Sequence, residues 1–271
     1  MIASRPEELA TLRECGKRLA VITAELAAAV RPGMSTFELD ELALRLIRQA
    51  GGEPVFKGYR AEKDGPPFPA SLCTSINDEV VHGIPRRERR LLEGDIIGLD
   101  IGMLWPASAG PARPAGGAAA GKPAGLITDM AVTIPVGNVS PRAGRLLVAT
   151  SRALAEGIRV LKPGIRLGDL GHAIQQVIEA QEFSVVRDLV GHGVGRRLHE
   201  EPFVPNYGMP GTGKVIREGM VLAIEPMATV GSPSVRLADD GWTWCTADGS
   251  LAAHFEHTVL VRRDGAEVLT L

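Results

Sequence analysis

The chain has 271 residues, 45% hydrophobic, 23% charged and only 4% aromatic, and its 30 Lys and Arg against 32 Asp and Glu give a net charge of −2. That near balance excludes a strongly basic nucleic-acid binder and an acidic disordered tail, and the length is ample for a sizeable core. Three cysteines (Cys15, Cys73, Cys245), far apart and without a CxxC pair, argue against a disulfide framework or a zinc ribbon and for a reducing compartment.

Met1 to Glu8 has no apolar signal core, and Leu19–Val30 is interrupted by Glu25 and too short to span a bilayer. A cytoplasmic protein is the expectation. Leu9, Leu12, Leu19, Ile22 and Leu26 recur at helical spacing, which predicts an amphipathic helix from about Pro6 to Val30, stopped by Arg31-Pro32-Gly33. A second helix opens at Ser35, with Glu38 positioned for a capping box, and runs to Gly51-Gly52. Branched residues then suggest strands at Ser71–Asn77, Ile96–Ile101 and Asp129–Val136. Between Leu104 and Gly125, 17 of 22 residues are Ala, Gly or Pro, so this segment cannot bury a core and reads as a mobile surface loop. A helix from about Pro141 to Leu161 ends in Lys162-Pro163-Gly164, and another spans about Gly168 to Glu182. Strands at Met220–Glu225 and Phe255–Val261 follow. Helix, basic-Pro-Gly, helix thus occurs twice. Pro-Gly is a common helix stop, but an internal duplication with a site between two halves would produce the same pattern. Strand runs alternating with helix pairs favour an α+β fold.

Familiar catalytic signatures are missing. There is no GxSxG, no P-loop and no HExxH, since the stretch from His199 reads HEEPF. The run from Gly191 to Gly195 has Arg196 where a dinucleotide fingerprint needs glycine. The informative anomaly is charge within apolar strands: Asp100, Asp129, Glu225 and Glu256. An isolated buried carboxylate is costly unless it is paired or bound to a cation. One such residue usually marks a strand end. Four in separate strands, with Arg and Lys scarce around them, point to a metal. Of the six histidines, His172 and His257 read as structural, and His254 fits either role. His192 lies in what reads as a glycine-rich turn, where the backbone can approach a ligand. Four carboxylates and one imidazole suit two divalent ions, which can activate a water and polarise a carbonyl.

The ordered stretches SINDEVVHGIP, EGDIIGLDIG, TDMAVTIPVG, GHGVGRRLHEEPFVPNYG, EGMVLAIEPM and GWTWCTADGSLAAHFEHTVLV resemble the methionine aminopeptidases of the bacterial, type I kind, in peptidase family M24. The resemblance implies a pita-bread fold with pseudo-two-fold halves, a curved antiparallel sheet covered by helices, and one catalytic domain over residues 1–271. It implies removal of the initiator methionine from nascent chains when the second residue is small. Asp100, Asp129, His192, Glu225 and Glu256 would hold two divalent ions (Co, Mn, Fe or Zn), with Asp129 and Glu256 bridging. Glu225 would shuttle a proton, and His82 and His199 would contact substrate and stabilise the tetrahedral intermediate. Tyr59, Phe68, Cys73, Leu198 and Trp242, with Phe56, would line the methionine pocket. A monovalent cation near Asn77, a monomeric state, and no membrane or DNA partner complete the implied picture.

Two departures stand out. The family sets its two aspartate ligands closer than the 29 positions between Asp100 and Asp129, an excess that the Ala/Gly/Pro segment accounts for, while Asp129 keeps the D-x-A-x-T pattern. Extra residues also separate Tyr59 from Phe68. The rivals are an Xaa-Pro aminopeptidase or dipeptidase of the same fold and a non-catalytic pita-bread binding protein. The Arg86–Arg90 run reads as a solvated turn or, through the resemblance, as a docking patch for ribosomal RNA. Trp105 could anchor the inserted segment over the cleft as a lid.

Overall fold

Helix boundaries follow local chemistry. The structure, a computed structural model, describes residues 1–61, 63–107 and 125–271. Helix α1 (Pro6–Ala29) opens on a proline with Glu7 and Glu8 in its first turn. In α2 (Thr36–Gln49) the Ser35 hydroxyl accepts the Glu38 N–H while the Glu38 carboxylate accepts the Ser35 N–H, the reciprocal cap expected from the sequence. Helix α3 (Pro141–Val160) is capped by Ser140, and α4 (Leu167–Glu179) follows the second Pro-Gly turn. No helix among the described residues is long and apolar enough to cross a membrane.

The two Pro-Gly turns are fastened in the same way. Gly33 (φ 84°) donates its N–H to Leu91 O, and Leu91 donates back to Met34 O. Gly164 (φ 95°) donates to Ile216 O, and Ile216 donates back to Ile165 O. In each half the chain then passes Glu-Gly, at Glu93-Gly94 and Glu218-Gly219, and enters a central strand. Asp100 and Glu225 each lie four residues beyond the start of that strand. A shared stop signal alone would not reproduce these tertiary contacts. The duplication is real at the level of backbone pairing.

Among the described residues the main sheet has nine strands. Its centre is a hairpin in which Ile96–Trp105 pairs with Leu126–Pro135 through ten consecutive antiparallel positions, from Ile96↔Pro135 to Trp105↔Leu126. Side chains alternate between faces. Ile97, Leu99, Ile101 and Met103 point outward into an apolar cluster with Leu19, Leu26, Leu39 and Ile47 of α1 and α2. In the second half Leu222, Ile224, Val259 and Val261 point the same way, against Leu146, Leu154, Leu170 and Ile174 of α3 and α4. The opposite, inner face is left for the site. Where the halves meet, only Glu256↔Ala131 and His257↔Met130 pair, and two threonines strengthen the seam. Thr258 Oγ1 accepts the Asp129 N–H at 2.8 Å and donates to Asp129 O at 2.7 Å. Thr133 Oγ1 does the same for the N–H and C=O of His254, at 2.9 and 2.7 Å.

The sequence boundary of the insertion needs correction. Leu104 and Trp105 are the last residues of the strand Ile96–Trp105, held by Ile127 and Leu126 opposite them, and do not begin a loop. Trp105 is no lid anchor over the site. It points outward with the other odd-numbered residues of its strand, donates Nε1–H to Ala50 O at 3.2 Å and lies under the Arg18 guanidinium. The expectation of mobility for Pro106–Lys122 falls mostly on residues 108–124, outside the described residues. The ladder closes at Trp105↔Leu126, three pairs beyond Gly102↔Asp129, so both aspartates are fixed before the connection begins. Replacing residues 108–124 by a short Gly-Ser linker is therefore expected to leave metal content and kcat within a few-fold, because loop closure depends only weakly on length. Loss of metal on shortening would show that Asp129 depends on the segment.

Candidate metal centre

Strand register alone puts the charged residues together. Residues opposite one another in an antiparallel pair share a face, as do residues two apart on one strand. Cys73 pairs with Asp100, and Asp100 with Ala131. Asp129 is two residues before Ala131, and Glu256 pairs with Ala131. Thr258, two residues after Glu256, pairs with Ala223, which also pairs with His192. Glu225 follows Ala223 by two, just past the end of Val221–Ile224. All five residues singled out as ligands share the inner face. The register also removes the difficulty of the 29-residue spacing, since Asp100 and Asp129 are diagonal neighbours across one hairpin.

Ligand atoms of Asp129, His192 and Glu256 lie within 4.8 Å of one another. Glu225 Oε1 reaches this group at 3.4 Å from His192 Nε2. Asp100 Oδ1, Asp129 Oδ1 and Glu256 Oε1 are buried without a hydrogen-bond partner, and no Lys or Arg forms an ion pair with any of them among the described residues. Such an arrangement lacks only positive charge. Burial pushes the Asp100 carboxyl up to about 7 and Glu225 up to about 8, and drives Asp129 and Glu256 well above the usual carboxylate range, with mutual repulsion adding to each of the aspartates and to Glu256. The imidazole is arranged for ligation too. His192 Nδ1 lies 3.0 Å from Gly193 O, and because a carbonyl can only accept, Nδ1 carries the proton and Nε2 keeps its lone pair. Burial lowers this ring to about 3, so it is neutral. Carboxylate oxygens with one neutral imidazole suit divalent ions between hard and borderline character.

His192 does not lie in a turn, as the glycines around it suggest. It sits in the strand Gly191–Gly193, and the glycines serve close packing: a Cβ at Gly191 would fall 2.4 Å from Ala223 O and one at Gly193 2.4 Å from Glu201 O. The strand was invisible to hydrophobic periodicity because it is three residues long and two are glycine.

Beside this cluster lies an apolar wall. Phe56, Phe68, Cys73, Leu198 and Trp242 are buried in one group, with Tyr59 packed against it. Phe68 and Trp242 meet edge to face with centroids 5.3 Å apart. The extra residues between Tyr59 and Phe68 leave this wall intact, because Phe68 N–H donates to Tyr59 O at 2.8 Å and closes the loop at its base. The Tyr59 hydroxyl is 2.6 Å from His199 Nδ1, and the His199 ring meets His192 edge to face at 4.4 Å. His82 is held with φ at 59°, a left-handed backbone unusual for histidine, and its ring lies 6.2 Å from that of Trp242. His199 thus stands beside His192 and is exposed, while His82 is half-buried beside Trp242 of the apolar wall.

Other singled-out residues lie elsewhere. His257 Nδ1 meets Thr270 Oγ1 at 2.9 Å, and His172 is on α4, the helix that packs Leu170 and Ile174 against the outer face. The arginine run is engaged within the chain: Arg86 with Asp240, Arg87 over the Phe37 ring, Arg89 with Glu79 and Arg90 with Gly33 O. One residue joins the site beyond those assigned to it. His254, open to either role in the sequence, is buried with Nε2 3.5 Å from Glu225 Oε2. The signal that could have found it is the Thr of D-x-A-x-T, whose hydroxyl fixes the His254 backbone.

Buried, uncompensated carboxylates beside an apolar wall make a candidate metal centre, and the chain is a metallopeptidase of family M24, whose model matches residues 10–109 and 118–263. It is 44% identical over 270 residues to methionine aminopeptidase 1 of Bacillus subtilis, covering 100% of this chain and 99% of the relative. The crystal structure of methionine aminopeptidase from Thermotoga maritima superposes with a TM-score of 0.88 at 42% identity, covering 100% and 99% of the two chains. The prolidase from Pyrococcus horikoshii, at 20% identity and a TM-score of 0.72 over 63% of its length, shares the fold alone. The fold is the pita-bread fold of these enzymes, α+β with a curved antiparallel sheet.

Proposed function

We propose that the protein removes N-terminal methionine from peptides and nascent chains whose second residue is small, with divalent ions held by Asp100, Asp129, His192, Glu225 and Glu256. The supporting observation is the set of buried carboxylate oxygens without partners, set beside the free Nε2 of His192. Asp100, Asp129, His192, Glu225 and Glu256 would offer enough donors for two ions, with Co, Mn, Fe and Zn all compatible with oxygen and imidazole ligands. When bound, the ions supply Lewis-acid polarisation of the scissile carbonyl and lower the pKa of the attacking water. Glu225 takes that water's proton on its carboxylate and returns it to the leaving nitrogen. His82 and His199 give N–H donors to the oxygen that gains charge, and the Tyr59 hydroxyl keeps the His199 ring in place. Phe56, Phe68, Cys73, Leu198 and Trp242 surround the methionine thioether, for which apolar and sulfur-bearing walls are suited.

The catalytic unit in this reading is the single domain of residues 1–271, acting as a cytoplasmic monomer. A monovalent cation near Asn77 would share Asn77 O with the Ala252 N–H that it already accepts. Ribosome docking through Arg86–Arg90 competes with the contacts those arginines make within the chain, and it would have to weaken steeply with salt.

The deciding experiment compares release of the first residue from Met-Ala-Ser, Met-Leu-Ser, Met-Arg-Ser and Ala-Pro peptides after chelation and reloading with each metal. Met-Ala-Ser is expected to be cleaved, and the peptides with a large second residue to be slower by roughly 10–200-fold or more. Faster hydrolysis of Ala-Pro than of Met-Ala-Ser would sink the reading in favour of an Xaa-Pro enzyme.

A further inference from the structure

Glu225 is bracketed by two imidazoles. Its Oε1 faces His192 Nε2 at 3.4 Å and its Oε2 faces His254 Nε2 at 3.5 Å. The two rings are not equivalent. His192 spends its proton on Gly193 O and presents a lone pair, so it cannot donate to Glu225. His254 Nε2 is buried and has no hydrogen-bond partner, at the outer limit of hydrogen-bond distance from Oε2. Its backbone is fixed on both sides, by the Thr133 clamp and by the pairing of His254 with Met227. A buried polar nitrogen held this firmly without a partner is costly unless it serves a neighbour.

We propose that His254 is a positioning residue for Glu225: its Nε2–H holds the Oε2 side of the carboxylate and leaves Oε1 turned toward His192. Of the described side chains that face Glu225, His254 is the one placed to fix how the carboxylate is rotated. Its other known anchor is the bond from Asn206 Nδ2 to Glu225 O, which holds the backbone only.

This inference rests on the role given to Glu225 above, and its test separates the two. His254→Gln keeps an N–H near the reach of Nε2, and His254→Leu keeps bulk without a donor. Three readouts are taken on each: metal affinity of the chelated protein by calorimetry with Mn²⁺, kcat and KM on Met-Ala-Ser, and Tm. His254→Leu is expected to weaken metal binding and lower kcat, each by roughly 10–150-fold, the range of a hydrogen bond to a charged group, with KM nearly unchanged. His254→Gln should restore both to within a few-fold. Wild-type affinity and kcat in His254→Leu would overturn the proposal. So would losses in His254→Gln equal to those in His254→Leu at wild-type Tm, which would mark His254 as a metal ligand or a packing residue. Should His254→Leu fail to fold, comparison of His254→Gln with His254→Asn, whose shorter amide cannot reach Oε2, decides in the same way. If the wild-type chain released no methionine, the functional reading would fail, and calorimetry would still report on the His254–Glu225 contact.

Discussion

Glu225→Gln is expected to fall in kcat by at least roughly 10²–10⁴-fold, the range that positioned proton transfer contributes. The substitution keeps size and hydrogen-bonding reach, removes the capacity to hold a proton and takes one negative charge from the proposed ligand set. That capacity is what the fold tunes. In the metal-free chain burial alone pushes the Glu225 carboxyl up to about 8. A substitution at the cleft mouth should be milder: His199→Ala removes one donor to the developing oxygen charge, worth roughly 10²–10³-fold in kcat. Steady-state kinetics in metal-replete buffer, with metal content measured on the same samples, check both. Wild-type kcat in Glu225→Gln at full metal occupancy would remove Glu225 from the chemistry.

The second large effect is on stability. Chelated protein is expected to lose Tm as pH rises from about 6.5 to 8.5, whereas metal-replete protein should hold it. The sign follows from the direction of each shift. Asp100, Asp129, Glu225 and Glu256 all have folded pKa values above the unfolded ones. The stability tied to their protonation is complete below about pH 4 and drains away as pH rises through about 7 and 8, where the folded chain must give up protons the unfolded chain has already lost. His192 and His82 are lowered, to about 3 and about 4, so they act in the opposite sense. Their contribution is present above about pH 6.5 and is lost on acidification. The two trends oppose one another between about pH 4 and 6.5 and leave the carboxylates alone above it. Metal binding replaces the missing protons with fixed positive charge and strengthens with pH. Each kcal/mol so lost lowers Tm by roughly 2–4 °C in a chain of this size. Parallel melting curves with and without chelator across this range would mean that the carboxylates are neutralised in some other way.

Much of this was readable from the residues because the relevant signals are local. Ser35 with Glu38 fixes one helix start, and Pro163-Gly164 ends another. Asp100 in Ile96-Ile97-Gly98-Leu99-Asp100-Ile101 shows its importance by contrast with its neighbours. The buried carboxylates were legible for the same reason: a carboxylate in an apolar strand is conspicuous wherever its partners lie. What could not be read depends on tertiary pairing. Gly191-His192-Gly193 becomes a strand only because Phe203 and Ala223 lie beside it. Leu104 and Trp105 extend the hairpin because Ile127 and Leu126 face them, although they border a stretch of Ala, Gly and Pro. His254 resembles any histidine near a strand until the Thr133 clamp and Glu225 come into view.

Alternation across the central hairpin constrains how such a chain can vary over generations. Losing one residue between Ile96 and Asp100 would turn Asp100 toward Leu19 and Leu39 and send Leu99 or Ile101 into the cleft, because a one-residue slip exchanges the faces of a strand. Only a bulge, a register shift of the kind seen between His192 and Gly193, would absorb an odd change. Without one, heritable length changes inside these strands are confined to steps of two residues or to compensated pairs. Beyond Trp105 and before Leu126 no ladder pairing imposes a register, so the rule of parity ends with the strands.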